Sequence, residues 1–532
     1  AGETEKYTYS YGDTEEEKKK HLVKSSKSPE GVCEAYGYDE YGNETAKRVH
    51  NSAKNAHIRT TAEYGGSGTY VGNYVSKRTD ALGKSTVYET DQVKGTLSKV
   101  TDAKGQSVSY GYDSAKRVTS VSASAGGKNY KNEYTYEKDR LAAVKHNTTG
   151  DSVDVRYSFS YDGLGRQTTV KVDNPANSGA GSQVLSTKVY EAGDRSGKLK
   201  RVEYGNGGKV HYEYDGFDRL TSVRYDGATG PRYEYEYGAN GEIARVKDKA
   251  LNRAYESGYD LAERPMEGRL TDGNGNVLYQ TLLKYNGKNE LSAFRENWNG
   301  KSYVTKYTYD HDGRTTEIRY AGENQKESIV YDTLGRIKRR ELKNGSQAYT
   351  TSYEYNAGNN GSNGTHSAQV KKINQTGEVF EYGYDAVGNI ISEKRNGEET
   401  TYEYDGMGQV IGAKIPNVGR WEYSYDQGGN LTHKKLTIDV GGGTAEMSKG
   451  YEYGNAKWKD QLTKYNGKAI AYDGIGNPVS YDGWTYEWQA GRQLKKMSKE
   501  GVTAEYTYDH NGMRVKKVVN GVTTEYMLHG KL

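Results

Sequence analysis

Residues 157–172 read YSFSYDGLGRQTTVKV, and the fold follows from this stretch. Tyr157, Phe159 and Tyr161 are two apart, so a strand places all three rings on one face. Asp162-Gly-Leu-Gly165 is turn chemistry, because an Asp side chain bonds the backbone two residues on and Gly takes positive φ without steric cost. Alternation then resumes through Arg166-Gln-Thr-Thr-Val170-Lys-Val172. The stretch predicts one β-hairpin.

That hairpin recurs along the chain. Tyr161-Asp162-x-x-Gly165-Arg166 is followed by Tyr309-Asp310-x-x-Gly313-Arg314, Tyr331-Asp332-x-x-Gly335-Arg336, Tyr384-Asp385-x-x-Gly388-Asn389, Tyr404-Asp405-x-x-Gly408 and Tyr472-Asp473-x-x-Gly476-Asn477. Looser copies start at Thr79, Thr101, Tyr112, Tyr214 and Tyr259. Tyr309 and Tyr331 are 22 residues apart, Tyr384 and Tyr404 20, and Tyr404 and Tyr425 21. A fixed period of this length marks a repeat architecture, in which each unit needs its neighbours to bury a face.

Composition agrees. Hydrophobic residues make up only 33% of the 532, yet 52 are Tyr, against 4 Phe and 6 Met. A disordered chain is poor in aromatics, so tyrosine is standing in for core aliphatics, and its hydroxyl seeks a partner or water. Broad, half-wet sheets suit such a chain better than one dry core. Successive hairpins are expected to pair edge to edge into a long antiparallel sheet, continuous over residues 1–532, with the least regular copies in 1–37. Sheet twist makes a strip of this length coil, and the few aliphatics suggest a spiral around enclosed space. Loops are expected at Asp173 to Ser182, around Pro175, at Ala357 to Gly364 and at Gly441 to Gly443.

The chain carries 75 basic and 71 acidic side chains, well interleaved: Lys18 to Lys20 follow Glu15 to Glu17, and Arg339–Arg340 precede Glu341. No basic stripe of the kind nucleic acid requires is formed. A single cysteine, Cys33, excludes an intrachain disulfide framework. No apolar run is long enough to span a bilayer. Ala1 opens directly into polar sequence, which reads as a cytosolic protein or as an internal piece of a longer one, its signal segment elsewhere.

No catalytic, cofactor or metal site is expected from the sequence. Asp162, Asp332 and Asp405 recur in every unit, which favours turns over the paired carboxylates of a glycosidase. His50 and His57 lack metal-ligand spacing and are read as surface or turn positions. Asp272-Gly-Asn274-Gly-Asn276 opens like a calcium loop, but Val277 and Leu283 stand where Gly and the bidentate Glu belong, leaving a hairpin turn. Cys33 has no neighbouring His or basic residue in sequence and is read as an ordinary residue.

YDGLGR, YDTLGR, YDAVGN and the closing Tyr506 to Tyr526 resemble the YD repeats of the Rhs and wall-associated protein family, relatives of teneurins and of insecticidal Tc toxin shell subunits. The resemblance covers the chain from about Tyr38. It implies a spiral β-sheet forming a hollow shell around a C-terminal toxin or effector of the same polypeptide, in a secreted or cell-wall-associated bacterial protein. The family's closing core carries an Asp-Pro-x-Gly-like cleavage site, whereas this chain has no Asp-Pro, so closing core, cleavage and toxin are not carried over. Teneurin Cys-rich modules and a propeller-like insertion are absent too. A rival expectation is adhesion through a cell-surface receptor or glycan, since Tyr and Arg are favoured at binding hot spots. Both readings are non-enzymatic.

Overall fold

The computed structural model describes residues 7–12, 14, 21–65, 72–193, 197–321, 324–359 and 364–528. The charge runs at 15–20, residues 360–363 of the expected loop, and both chain termini, Ala1 and Leu532, lie outside these. Among the described residues are 45 strands of 2 to 11 residues and one short 3-10 turn, Ser178–Ala180, inside the Pro175 loop. Strands adjacent in sequence pair antiparallel, so the all-β hairpin architecture expected from the repeat is the one observed. The strands gather into two compact units. One is made of residues 1–131, 305–423 and 435–447, and the other of 132–304, 424–434 and 448–532. Each unit therefore combines an early stretch of chain with a late one.

In the hairpin Val155–Tyr161 and Gln167–Asp173, Tyr157 lies opposite Val172 and Phe159 opposite Val170. The register then shifts between Ser160 and Tyr161, leaving Tyr161 opposite Gln167. Equivalent shifts precede Tyr214, Tyr331, Tyr384, Tyr404 and Tyr472. Each is a β-bulge: one extra residue on the return strand bends the ladder and raises its twist just where the turn begins.

The two faces differ as alternation requires. In the second unit Tyr233 and Val246 join Val210 and Val223 in a buried cluster, with Tyr204, Tyr212, Tyr235 and Tyr255 packed against it. Truncating Val246 to Ala there should cost about 2 kcal/mol. On the opposite face Glu234 and Glu236 lie across from Lys247 and Arg245. Cross-strand ion pairs such as Lys77–Glu63 and Lys99–Glu89 continue this pattern in the first unit. Exposed pairs of this kind contribute little each, but they keep the sheet soluble and in register.

Some positions differ from the sequence reading. His50 and His57 are strand rather than turn residues: they face each other across strands Glu44–Asn51 and His57–Gly65, where His50 is buried and His57 is half-buried. Few apolar residues mark these strands, so alternation alone did not reveal them. His50 also lies opposite Cys33, giving the cysteine a histidine neighbour 17 positions away, while its thiol points to the Gly31 carbonyl at 3.6 Å. Asp272 to Asn276 forms a hairpin turn in which Asp272 Oδ1 accepts the N–H groups of Asn274 and Asn276. Arg340 pairs with Glu327 across the ladder.

Candidate functional site in the interlocked YD turns

The Tyr-Asp turn is a small hydrogen-bonded device. Asp162 Oδ1 accepts the N–H of Leu164 and of Arg166, both at 3.0 Å, while the Gly165 N–H donates to the Asp162 carbonyl at 2.9 Å. Arg166 Nε then returns to Asp162 Oδ2 at 2.7 Å. That Arg166 hydrogen bond, joined by backbone N–H groups, holds the Asp162 carboxyl below its ordinary range although burial opposes it. Gly165, Gly313, Gly335, Gly388, Gly408 and Gly476 all have φ between +78° and +95°. Where the repeat lacks glycine the backbone keeps that conformation, with Lys116 at +62°, Asp218 at +66° and Glu263 at +60°.

Each turn also grips the next repeat. The Arg166 guanidinium lies 4.3 Å from the Tyr190 ring centroid, and the Tyr190 hydroxyl donates to the carbonyl of Gln167, the residue after Arg166. The same coupling joins Arg219 to Tyr237, Arg264 to Tyr285, Arg314 to Tyr331 and Arg336 to Tyr355. Where Asn replaces Arg, Asn389 Nδ2 donates to Asp385 Oδ2 and the Tyr404 hydroxyl still reaches the Ile390 carbonyl at 2.8 Å. Tyr161 and Tyr472 donate in the same way to Leu141 and Leu462. The rings therefore lock successive hairpins mainly through guanidinium stacking and hydroxyl-to-carbonyl bonds. Direct ring pairs across the ladder, such as Tyr451 with Tyr465 at 4.9 Å, are a smaller part. The signal was present as Arg in the sixth motif position with a Tyr one period later.

A second set of contacts joins the early and late stretches of each unit. In the first unit Ser28 Oγ donates to Asp312 Oδ2 at 2.8 Å, Lys104 Nζ meets Asp385 Oδ2 at 3.1 Å, and the Asn359 N–H donates to the Ala81 carbonyl. In the second unit Asn206 Nδ2 donates to Asp473 Oδ2 at 2.8 Å, Gln183 Nε2 to the Gly474 carbonyl at 3.0 Å, and Tyr233 and Arg232 to the Tyr508 carbonyl. Gly205 and Gly474 approach backbone to backbone: a Cβ on Gly474 strikes the Gly205 carbonyl, whereas one on Gly205 strikes the Val184 carbonyl of the neighbouring strand and only brushes the Gly474 carbonyl. Partners in this seam are separated by between 267 and 314 residues in both units. Of the motif residues, Asp385 and Asp473 thus serve both turn and seam. Nothing local in the sequence announces the seam.

Fold and lock together define a tandem β-hairpin repeat protein built on Tyr-Asp turns. Residues 363–528 match the family model described as teneurin YD-shell, and residues 93–128 and 193–229 match the RHS repeat. The tRNA nuclease WapA of Bacillus subtilis (strain 168) is 37% identical over 112 residues, 20% of this chain and 4% of that protein. The tRNA(Glu)-specific nuclease WapA of Bacillus subtilis subsp. natto is 42% identical over 74 residues, 13% of this chain and 3% of that protein. A Photorhabdus luminescens Tc holotoxin pore structure matches 93% of this chain and 30% of its own, with TM-score 0.60 and 15% identity. The TcdB2–TccC3 crystal structure matches 97% of this chain and 32% of its own, with TM-score 0.60 and 14% identity. At such identities the likeness is one of fold. The YD-shell and RHS-repeat matches thus fall on separate parts of the chain, which spans under a third of the length of these relatives.

Proposed function

We propose that this chain is a wall segment of a hollow protein shell that encloses a C-terminal toxin or effector of its own polypeptide. The observation that carries the reading is the seam: in each unit a late stretch of chain lies against an early one at a near-constant separation, as a wound wall requires. The turns supply a rigid, repeated frame and recur in every unit, which supports a scaffold without catalytic residues or cofactor. Residues 1–532 act as one continuous repeat region, and Tyr161, Asp162, Gly165, Arg166 and their equivalents are its structural motif. Toxicity resides elsewhere in the polypeptide, as the WapA likeness covers repeat sequence of at most 112 residues. The setting is secreted or cell-surface. No helix among the described residues is long and apolar enough to cross a membrane.

The test is expression of the gene with its natural continuation, followed by limited proteolysis. A C-terminal fragment that resists protease and copurifies with the repeat region supports encapsulation. A continuation digested as fast as the isolated peptide overturns it and moves weight to receptor or glycan binding. That second reading is favoured by a cavity of about 200 Å³ in the second unit, lined by Tyr255, Tyr279, Tyr526, Arg253 and His510.

A further inference from the structure

One part of the seam pairs a half-buried imidazole with a carboxylate. His146, at the end of strand Arg140–His146, places Nε2 2.9 Å from Asp460 Oδ1. Asp460 Oδ2 accepts the Tyr157 hydroxyl at 2.8 Å, and the Trp458 indole N–H donates to the same hydroxyl oxygen at 2.8 Å. Asn430 Nδ2 adds a longer bond to Asp460 at 3.3 Å. The imidazole stacks on Tyr157, whose ring meets Trp458 edge-on. His146 and Tyr157 belong to the early stretch of the second unit; Asn430, Trp458 and Asp460 belong to the late ones. The cluster therefore ties the two stretches through three hydrogen bonds, one of which is made by a titratable imidazole.

We propose that His146 and Asp460 form a proton-operated latch in the seam of the second unit, tight when the imidazole is charged and loosened when it is neutral. The groups facing His146 are Asp460, Asp426 of the neighbouring turn, Asp154 of the loop that follows it, and the Tyr157 phenol. Asp154 is engaged by Thr148, through its N–H at 2.7 Å and its hydroxyl at 2.6 Å. Asp426 is engaged by the N–H groups of Gly428 and Asn430 and by the Asn430 amide. A neutral imidazole leaves Asp460 with the Tyr157 hydroxyl and the Asn430 amide but no cation beside it, and a sequestered carboxylate without a counter-charge is costly.

The directions of titration agree. Burial pulls the His146 imidazole down, but the hydrogen bond and charge of Asp460, with Asp154 and Asp426, hold it above its ordinary value. Burial pushes Asp460 up, but His146, Tyr157 and Asn430 keep it below the usual carboxylate range. Burial keeps Asp426 above that range despite its hydrogen bonds. A raised histidine stabilises fully below its unfolded value near 6.5 and loses that contribution as pH rises through its folded value. A lowered aspartate stabilises above about 4 and loses its contribution as pH falls. Raised Asp426 adds stability that fades as pH climbs from about 4. The latch is therefore tightest between about pH 4 and 6.5 and weakens at higher pH.

Nothing in this depends on the cargo, so the test uses the chain alone. Hydrogen exchange, with labelling times scaled for the intrinsic pH effect, is followed at pH 5.5 and 8.5 in peptides covering 155–161 and 455–463. Peptides covering 378–395 in the first unit serve as control. Wild type should lose protection at least tenfold at pH 8.5 in the two seam peptides only. His146→Gln and Asp460→Asn should be weakly protected at both pH values, while Tyr157→Phe, which keeps the ion pair, should retain the pH dependence. Unchanged protection in wild type, or equal loss in wild type and His146→Gln, overturns the proposal. Should the variants fail to fold, the His146 titration in isotopically labelled wild-type protein decides it: a midpoint above 6.5 supports the latch and one below contradicts it.

Discussion

The Arg336 guanidinium lies 4.2 Å from the Tyr355 ring centroid while its Nε holds Asp332 Oδ2 at 2.7 Å. One side chain thus closes its own turn and clamps the next repeat. The planar fork does both at once, which an ammonium cannot.

Arg336→Lys should accordingly cost about 1–2 kcal/mol, from the lost stack and bidentate hydrogen bonding. The exposed Arg59, on strand His57–Gly65 and outside any Tyr-Asp turn, provides the comparison, with an effect of no more than about 0.5 kcal/mol for Arg59→Lys. Denaturant unfolding of both variants checks this, and equal midpoints would sink the clamp.

Left-handed turn positions give a prediction of opposite signs. Gly165→Val and Gly335→Val should destabilise by at least about 1 kcal/mol, because a side chain at φ near +80° is strained. Gly165 also has Arg140 packed over it, and Gly335 has Arg314. Lys116→Gly and Glu263→Gly relieve the same strain and should stabilise by up to about 1 kcal/mol after the entropy cost of glycine. Calorimetry of the four variants reads the sign directly.

Gly205 and Gly474 are needed for close approach, since neither has positive φ. Gly205→Ala and Gly474→Ala should each cost about 1–3 kcal/mol, the first by striking the Val184 carbonyl of the adjacent strand and the second by striking the Gly205 carbonyl across the seam. Gly216, which has open space around it, should accept Ala within about 0.5 kcal/mol. Faster hydrogen exchange at residues 183–206 and 470–477 in the first two variants would place the damage at the seam.

Alkali should find a resistant class of tyrosines. Burial pushes the Tyr212, Tyr235, Tyr255 and Tyr453 phenols up to about 12. Their folded values lie above the unfolded one near 10, so the stability they contribute is lost as pH rises from about 10 to 12. Absorbance at 295 nm should show a late phase that coincides with loss of circular dichroism. Complete ionisation near pH 10 with the fold intact would contradict the packed aromatic face.

Much of this architecture is written in short-range pattern. Tyr157, Phe159 and Tyr161 announce a strand, and Asp162 and Gly165 a turn, because alternation and turn chemistry act within a few residues. Lys116 and Glu263 hide the same turn, since there the backbone conformation is imposed by neighbouring hairpins and the residue type gives no sign of it. The His50 strand was missed for lack of apolar markers. Contacts such as Asn206 with Asp473 or His146 with Asp460 join positions some 270 to 310 residues apart, and no local composition encodes such a separation.

The central claim is that the chain returns to lie against itself in a fixed register. Zero-length carbodiimide cross-linking of the chain at low concentration, read by mass spectrometry, tests it at Lys104 and Asp385, which meet at 3.1 Å. An intramolecular Lys104–Asp385 link is the predicted result. Coupling of Asp385 only to lysines of its own and adjacent hairpins, with Lys104 unlinked to residues 380–390, would contradict the wound wall.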